Sequence, residues 1–364
     1  MNAGLAPAAL QGARLTGVRQ RAQAVPAVPA DVLLHAGPPY ADGAAPAPVR
    51  NAAAQALVYE GAANDLAHGL RLLADGAYRL APAQDHGVVT PLAQVVSASM
   101  PVFAVGDEAL LIHAPVLEGA PPALRFGAPD PACVAALHAA AADALGPLAA
   151  HLAGKPVQIH DLAVQALAQG DECHARTGAA NAALVAALAG LAGDCRARIG
   201  ANPGYVLPIL MAACAWALRR HGEIEAVGGN GVAFGLRPRG QAAWRTVPAT
   251  APVGTVMRPE LPALGAIGDS AVIDFAGLGG QALAAAPALR AEWAACLPAD
   301  WAARRALCDA ASGLVSLARV ADTALVPIVH LAIVGADARG GLAGRGFYLP
   351  SPELFRFLSA EHPA

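Results

Sequence analysis

The apolar segments of this sequence are repeatedly interrupted, which argues against a chain that folds across a membrane. Two uncharged windows, 87–106 and 199–218, are as long as a membrane span, but each contains two prolines together with glycine and polar residues. A spanning helix needs about 20 predominantly apolar residues. The N-terminus lacks a basic stretch leading into an apolar one, so we expect no signal peptide. The sequence therefore predicts a soluble, cytoplasmic protein without a membrane partner.

The charge balance points away from nucleic acid as a partner. Only 14% of the 364 residues are charged, and 24 basic against 27 acidic residues give a net charge of −3. Proteins that bind nucleic acid usually present a basic surface. The six cysteines form no CxxC pair, which is typical of reduced thiols in a chain of this size. The length is sufficient for two or three domains with buried cores.

The order of local patterns predicts an α+β fold. Residues 32–35 (VLLH) have the composition of a buried strand, and residues 49–76 carry apolar side chains at helical spacing, with a break at Gly61. The other predicted elements are a helix over 131–153, a helix over about 205–220, a β-hairpin within 223–260, a strand–glycine turn–helix unit over 271–290, and a strand before a glycine-rich turn at 340–346.

These elements suggest several parts with mixed sheets rather than a regular βαβ array. Residues 1–30 are rich in alanine and proline and are expected to form an N-terminal arm with one short helix. The predicted divisions are the arm at 1–30, an α+β domain at 31–155, a small helical middle domain at 156–222, and an α+β domain with glycine-rich turns at 223–364.

The segment 170–176 (GDECHAR) concentrates polar residues in a chain that has few charges. If a helix begins at Asp171, that residue caps it and shares a face with His174, while Glu172 pairs with Arg176 at i,i+4. This arrangement is either a helix cap with an internal salt bridge or a polar site with an anion clamp and an acid/base histidine. One histidine with one aspartate offers too few ligands for a metal, so we expect none.

Two further segments have compositions suited to ligand binding. His86 precedes a glycine in a loop between apolar stretches, where a histidine is either a turn partner or a group presented to a ligand. Within 267–281, Gly277-Leu-Gly279 begins a G-x-G-x-x-A match, a weak dinucleotide signal or, more modestly, an anion-binding helix N-terminus. Asp269 and Asp274 in this segment either orient a ligand or cap turns.

Read together, several segments resemble one family in the expected order. They include DVLLHAGPP, DHGVVTPLAQVVSASMPVF, QALAQGDECHAR, GGNGVAFGLR and IGDSAVIDFAGLGGQALAAAPA. The chain resembles the YlbE-like family of largely uncharacterised proteins, which includes the G subunit of bacterial oxamate carbamoyltransferase. The resemblance implies a three-part α+β fold and a role beside two partner subunits in purine breakdown, where oxalurate and phosphate give oxamate and carbamoyl phosphate.

The sequence departs from that family in two places. Its N-terminal region is shorter, and residues 332–334 read Ala-Ile-Val where relatives tend to have Ile-Ala-His, with His330 slightly upstream. The chain is thus either a carbamoyltransferase subunit or a paralogue acting on a related small ureido or amide acid. Two other hypotheses are a non-catalytic scaffold or metabolite-binding subunit and, less favoured, a protein that binds NAD(P).

Carbamoyl transfer requires a cationic clamp and N–H donors for phosphate, and hydrogen bonds that polarise the carbamoyl carbonyl. No redox cofactor is needed. We expect a small-molecule substrate such as carbamoyl phosphate or oxamate, partner subunits of the same complex, and self-association. The predicted catalytic residues are His86, Asp171, His174 and Arg176, and the predicted substrate- or phosphate-binding residues are Asn230, Arg237, Asp269, Ser270, Gly277, Gly279, Gly280 and Arg345.

Overall fold

The computed structural model describes residues 2–41, 45–337, 339 and 341–357. Its helices and its several small sheets confirm the predicted α+β class. The strands are β1 Arg14–Gln20, β2 Val32–His35, β3 Arg79–Pro82, β4 Pro101–Gly106, β5 Leu111–Pro115, β6 Val157–Gln158, β7 Ile224–Asn230, β8 Ala233–Pro238, β9 Arg245–Pro248, β10 Val253–Val256, β11 Ile267–Gly268, β12 Val329–Val334 and β13 Leu342–Tyr348. The helices are α1 Arg21–Ala24, α2 Ala47–Tyr59, α3 Leu66–Ala74, α4 Ala132–Asp143, α5 Ala149–Gly154, α6 Ile159–Ala168, α7 Gly178–Ala187, α8 Gly193–Gly200, α9 Leu207–His221, α10 Ala271–Phe275, α11 Pro287–Glu292 and α12 Leu317–Thr323.

The N-terminal segment belongs to the first sheet. The strand order is β5-β4-β1-β6, so β1 lies between two antiparallel neighbours. Residues 14–20, which we expected within an N-terminal arm, therefore lie inside a sheet, and Leu10 and Leu15 are fully buried. Alanine and proline dominate the composition of this segment, so the pattern of a short strand is hard to recognise in the sequence. The apolar side chains on both sides of Ala13 are nevertheless buried, which explains why the segment joins the sheet. The expected short helix is α1.

The strands β2 and β3 form a parallel pair joined through α2 and α3. A parallel pair needs such a crossover, so this is one βαβ unit within a fold that is otherwise built from antiparallel sheets. The register places His35 opposite Pro82. The carboxyl ends of both strands therefore lie side by side, and the turns after them begin at the same edge.

The second half of the chain contains two more sheets, of order β11-β7-β8-β9 and β10-β13-β12. The predicted hairpin is present as β7 and β8. The prediction of a glycine-rich turn at 340–346 is wrong for residues 342–346, because Leu342–Tyr348 is strand β13, which pairs with both β10 and β12. Gly340 lies outside the described residues.

The helix α9 joins these parts. It was predicted over about 205–220, and it packs against β4 and β5 of the first sheet as well as β7 and α10. Its residues from Ile209 to Leu218 are buried. A helix assigned to the predicted middle domain thus contacts both neighbouring parts, and the domain divisions themselves stay predictions.

The segment AVIDF was predicted as a strand and is instead the helix α10, all of it buried. Short apolar runs buried on all sides have no periodicity that separates a strand from a helix, which explains the wrong prediction. The following segment, Gly279–Ala285, is a 3-10 turn. The strand–turn–helix setting that a dinucleotide fingerprint requires is therefore missing here.

One helical run of the described residues, Ala132–Gly154, is long and apolar enough to cross a membrane by length and composition. It consists of α4 and α5 joined by a π-helical turn that contains Pro147. The two helices pack against α2 and β1 respectively. Core helices of soluble proteins pass the same test of length and composition, so this run alone is weak support for a membrane span.

Candidate functional site

Two histidines and two carboxylates form a buried group, which we call the histidine–carboxylate cluster. Nδ1 of His174 lies 2.9 Å from Oδ2 of Asp274, and Nδ1 of His330 lies 3.0 Å from Oε1 of Glu172. Glu172, Asp274 and His330 are fully buried, and His174 is 8% exposed. The two imidazole rings are 5.9 Å apart between centroids. The chain thus holds two carboxylate–imidazole pairs side by side in its interior.

The loop before α7 carries half of this cluster. A helix was predicted to begin at Asp171, but α7 begins at Gly178, and Cys173 adopts a positive φ of 73°. A left-handed residue interrupts a helix, which explains the difference. The Asp171 carboxylate accepts hydrogen bonds from the N–H groups of Ala179 and Ala180, at 2.7 and 3.2 Å, so it caps α7 from a distance. Burial raises the pKa of Asp171 to about 6, although the three N–H donors around it oppose the shift.

The carboxylate of Glu172 is held by the main chain of the same loop. It accepts hydrogen bonds from the N–H groups of Ala175 and Arg176 in addition to the bond from His330. The predicted i,i+4 ion pair with the Arg176 guanidinium is therefore replaced by a bond to the Arg176 main chain. Burial favours protonation of Glu172, but the hydrogen bond and charge of His330, with the charge of His174, keep its pKa below the usual value.

The glycine turn after α10 wraps around the carboxylate of Asp274. Oδ1 accepts from the N–H groups of Gly280 at 2.8 Å and His330 at 3.2 Å. Gly279 has a positive φ of 49°, and a Cβ there would collide with the same oxygen. Its N–H donates to the main-chain oxygen of Glu172. Two N–H groups of the turn predicted to bind phosphate are thus already bonded to the protein.

Several buried polar atoms around the cluster have no hydrogen-bond partner within the described part of the chain. They are Nε2 of His330, Oε1 of Gln281, Nε1 of Trp293 and Nε of Arg176. The Trp293 ring lies 5.0 Å from the His330 ring and nearly perpendicular to it. Leaving a buried polar atom unpaired costs about 1–3 kcal/mol. Such groups in one region are typical of a place that binds water, an ion or a ligand.

One glutamate, Glu292, bonds the predicted residue Arg345 and also feels the charge of the predicted residue Arg176. Arg345 donates two hydrogen bonds to Glu292, at 2.9 and 2.7 Å, and Thr255 donates a third at 2.8 Å. Burial opposes ionisation of Glu292, but these bonds and the charges of Arg345 and Arg176 lower its pKa. Glu292 is followed directly by Trp293, which contacts His330.

A second buried carboxylate, Asp269, lies where β2 and β3 end. It accepts hydrogen bonds from the N–H of Gly37 at 2.8 Å, Nε2 of Gln84 at 2.6 Å and the N–H of Thr90 at 2.9 Å. Burial raises the pKa of Asp269 to about 7 against the effect of these donors. Ser270 is buried beside it at the start of α10. Asp269 therefore ties the βαβ unit to the helix that carries Asp274.

The remaining predicted site residues lie outside the histidine–carboxylate cluster. His86 is exposed at the end of a 3-10 turn, and Arg237 pairs with Asp85. The Asn230 side chain accepts from two N–H groups in the β7–β8 turn and donates to the Pro38 carbonyl. The main-chain carbonyl of Gly277 accepts a hydrogen bond from Nη1 of Arg305 at 2.7 Å. The binding roles of these residues stay predictions.

Four of the predicted site residues, His174, Arg176, Gly279 and Gly280, lie in or beside the histidine–carboxylate cluster, but the prediction left out their partners. Glu172 was considered only as the ion-pair partner of Arg176, and Asp274 as a residue that either orients a ligand or caps a turn, so neither was placed in the predicted site. His330 was noted only as a departure from the family. The available signal was the scarcity of charge in the chain, because a charged residue inside an apolar stretch is rarely buried without a partner.

The chain resembles known proteins over most of its length. The family model described as "Oxamate carbamoyltransferase subunit AllG" matches residues 78–270. The Uncharacterized protein YahG of Escherichia coli (strain K12) is 29% identical over 92% of this chain and 79% of its own length. The Oxamate carbamoyltransferase subunit AllG of the same organism is 29% identical over 86% of this chain and 85% of its own length.

A solved structure shares the fold. It is a conserved protein of unknown function from Enterococcus faecalis V583, with a TM-score of 0.84 and 25% identity, and the similarity covers 99% of this chain and 96% of that one. The expected resemblance is confirmed as far as the oxamate carbamoyltransferase subunit, whereas the wider YlbE-like grouping stays a prediction. Because the matching family model covers more than half of the chain, the protein belongs to the family of the oxamate carbamoyltransferase subunit AllG.

Proposed function

We propose that this chain is a subunit of a carbamoyltransferase-type enzyme and that the histidine–carboxylate cluster takes part in the transfer. The family supports a subunit of such an enzyme, since the curated relative carries that description. The observation that supports the site is Nε2 of His330, which has no hydrogen-bond partner in the described ranges and lies next to an imidazole held by Asp274. A cytoplasmic location, self-association and partner subunits of the same complex are part of this proposal.

The proposed reaction needs one proton to move. The phosphate oxygen attacks the ureido carbonyl carbon of oxalurate, the bond from that carbon to the oxamate nitrogen breaks, and carbamoyl phosphate and oxamate result. The leaving nitrogen must gain the proton that phosphate loses. An imidazole oriented by a carboxylate is suited to accept and return a proton. Two such imidazoles, His174 and His330, allow one to act as base and the other as acid.

Anion binding falls to the arginines in this proposal. Oxalurate and phosphate are both anions, and a guanidinium binds carboxylate or phosphate through paired hydrogen bonds. Arg176 has a buried Nε with no hydrogen-bond partner among the described residues. Arg345 is held by Glu292 through Nε and Nη2, so of the two arginines Arg176 has the less committed guanidinium. We therefore assign the anion clamp to Arg176.

A non-catalytic scaffold role is the second candidate. It is favoured by the complete burial of Glu172, Asp274 and His330, since a buried polar network also serves to fix a fold. The identity of the substrate is also a proposal, because one relative of similar identity, YahG, is an uncharacterised protein and suggests no substrate. A related small ureido or amide acid would suit the same residues.

The test is phosphate-dependent cleavage of oxalurate by the chain together with its partner subunits. We expect Arg176→Ala to abolish cleavage and Arg176→Lys to restore part of it, while Arg196→Ala, at an exposed arginine, leaves it unchanged. His330→Gln removes the imidazole and should also abolish cleavage in a chain that still assembles. Wild-type activity in both Arg176→Ala and His330→Gln would favour the scaffold role.

A further inference from the structure

Both imidazoles of the histidine–carboxylate cluster face a carboxylate, but only that of His330 is oriented as a metal-binding histidine usually is, by a carboxylate outside the ligand set. Each directs Nδ1 to a buried carboxylate, His174 to Asp274 at 2.9 Å and His330 to Glu172 at 3.0 Å. A carboxylate in that position takes the Nδ1–H and leaves the lone pair on Nε2. In His330 the arrangement prepares Nε2 to act as an acceptor or as a metal ligand. In His174 it is Nδ1 that faces a second ligand atom, Oδ2 of Asp274, and an ion bound by both would replace the proton they share.

The acceptor on His330 is unused. Its Nε2 is buried and has no hydrogen-bond partner among the residues that the structure describes, and the side chain is fully buried. Oε1 of Gln281 is unpaired in the same way, while the amide nitrogen of Gln281 donates to the carbonyl of Asp274. In folded proteins, water or a cation satisfies buried acceptors that have no donor. These two atoms therefore indicate a partner that the described part of the chain does not supply.

Apart from the two imidazoles, no cationic side chain among the described residues offsets the charge of the carboxylates in the cluster. The hydrogen bonds to the carboxylates of Glu172 and Asp274 come from imidazoles and main-chain N–H groups, and within the described ranges no lysine or arginine side chain pairs with either of them. Two buried carboxylates without a cation are costly unless their charge is compensated. A divalent ion supplies that compensation.

The spacing of the ligand atoms is close to what an ion requires. His174, Asp274 and His330 each offer one ligand atom, and these atoms lie within 4.8 Å of one another. Two ligand atoms at about 2.1 Å from a tetrahedral ion are about 3.4 Å apart. A relative side-chain shift of at most about 1.4 Å therefore brings the three atoms to that distance.

We propose that His174, His330 and Asp274 bind a divalent transition-metal ion of the Zn²⁺ type, with Glu172 orienting His330. Two imidazoles and a carboxylate suit Zn²⁺, Fe²⁺ or Co²⁺ rather than Mg²⁺ or Ca²⁺, which prefer oxygen ligands. Three protein ligands leave a position for a substrate oxygen. The site rests on the proposed function for its place in the enzyme, but it assigns His174 and His330 to an ion instead of to proton transfer, because a ring nitrogen bound to a metal cannot also accept a proton. Ion binding itself is measurable without any carbamoyl transfer.

The test uses the full chain, stripped of metal with a chelator and titrated calorimetrically with Zn²⁺. We expect one tight site per chain in the wild type, and a loss of at least about tenfold in affinity in His330→Gln and His174→Gln. Glu172→Gln should weaken binding by about 10- to 100-fold through its effect on His330. His138→Gln, at an exposed histidine outside the predicted site, is the control and should bind as the wild type does.

A second measurement covers variants that fail to fold. Co²⁺ added to the wild-type chain should give visible absorption bands of a low-symmetry site with nitrogen ligands, and Zn²⁺ should remove them. Absence of these bands, or equal Zn²⁺ affinity in the wild type and in folded His330→Gln, would overturn the proposal. The binding measurement contains no substrate, so its result does not depend on whether the chain catalyses carbamoyl transfer. A chain that is active in carbamoyl transfer but binds no ion would refute the metal site and leave the proposed function standing.

Discussion

The Nδ1 atom of His174 lies 2.9 Å from Oδ2 of Asp274, a residue one hundred positions further along the chain. The second pair, His330 and Glu172, joins residues 158 positions apart. The cluster thus forms only when the loop before α7, the buried helix α10 and the strand β12 pack together. The side chains of the cluster belong to three elements, so a substitution in any one of these elements should alter the hydrogen bonds made by the other two.

Asp274→Asn should disable the cluster while changing only one atom. The amide nitrogen cannot accept the hydrogen bonds that the carboxylate now takes from His174, Gly280 and His330, so at least one buried donor loses its partner. We expect a loss of about 1–3 kcal/mol in the free energy of unfolding and of at least about tenfold in activity. Denaturant titration and the cleavage assay measure the two. Asp75→Asn, at an exposed position, is the control, and equal stability of both variants would contradict the prediction.

Gly279→Ala should damage the cluster through a steric clash. The added Cβ would collide with Oδ1 of Asp274 and approach Cβ of His174 at 3.2 Å. Gly76 has a similar positive φ of 73° but open space around it, so Gly76→Ala measures the backbone strain alone. That strain costs about 1–2 kcal/mol. We expect thermal unfolding to show a clearly larger loss for Gly279→Ala, together with weaker Zn²⁺ binding. An equal loss of thermal stability in the two variants would contradict the prediction, because it would mean that the turn accommodates the added Cβ without displacing Asp274.

Features that depend on neighbours in sequence were predicted well. The strand β2, the β7–β8 hairpin, and the helices α2, α3 and α9 follow from apolar spacing, glycine turns and helix ends, all of which act over a few residues. The capping role of Asp171 was also foreseen, although the helix it caps begins seven residues later than expected. Local chemistry was sufficient for these features because their hydrogen bonds are local.

Features that depend on distant packing were not predicted. The helix α10 was taken for a strand because all of its side chains are buried and no face is polar. The strand β1 was taken for part of an arm because its partners, β4 and β6, follow much later. Asp274 and His330 show no local motif that marks them, since each gains its role from a residue in another element. Pairing over more than a hundred positions leaves no trace in a local pattern.

Asp171→Ala should loosen the loop that carries Glu172 and His174. It removes the acceptor for three N–H groups, those of Cys173, Ala179 and Ala180. Loss of a helix cap costs about 0.5–2 kcal/mol. Hydrogen exchange should show faster exchange in the first turn of α7, and Zn²⁺ binding should weaken.

Asp65→Ala is the matched control for this cap. Asp65 caps α3 by accepting from the N–H of His68 at 2.7 Å, at an exposed position. It should cost a similar free energy of unfolding and leave exchange in α7 and ion binding unchanged. If Asp171→Ala behaves in the same way as Asp65→Ala, the loop holds its shape without the cap.

Asp269 should make the stability of the protein fall as pH rises toward neutrality. Burial raises its pKa in the folded state to about 7, from 3.8 in the unfolded chain. Between these values the folded state holds a proton that the unfolded state has released, so unfolding becomes easier as the pH increases. The contribution of this group to stability is complete below about pH 4 and is lost as the pH passes through about 7.

Asp269→Asn isolates that contribution, because asparagine does not titrate. The variant should be less stable at every pH, since its amide places a donor among the donors of Gly37, Gln84 and Thr90. The stability difference between wild type and variant should shrink as the pH rises from about 4 to about 7 and then level off. Urea titrations across this range measure it, with Asp75→Asn as a control for the change in net charge. A difference that stays constant, or that grows with pH, would show that Asp269 remains ionised in the folded chain because its three N–H donors outweigh its burial.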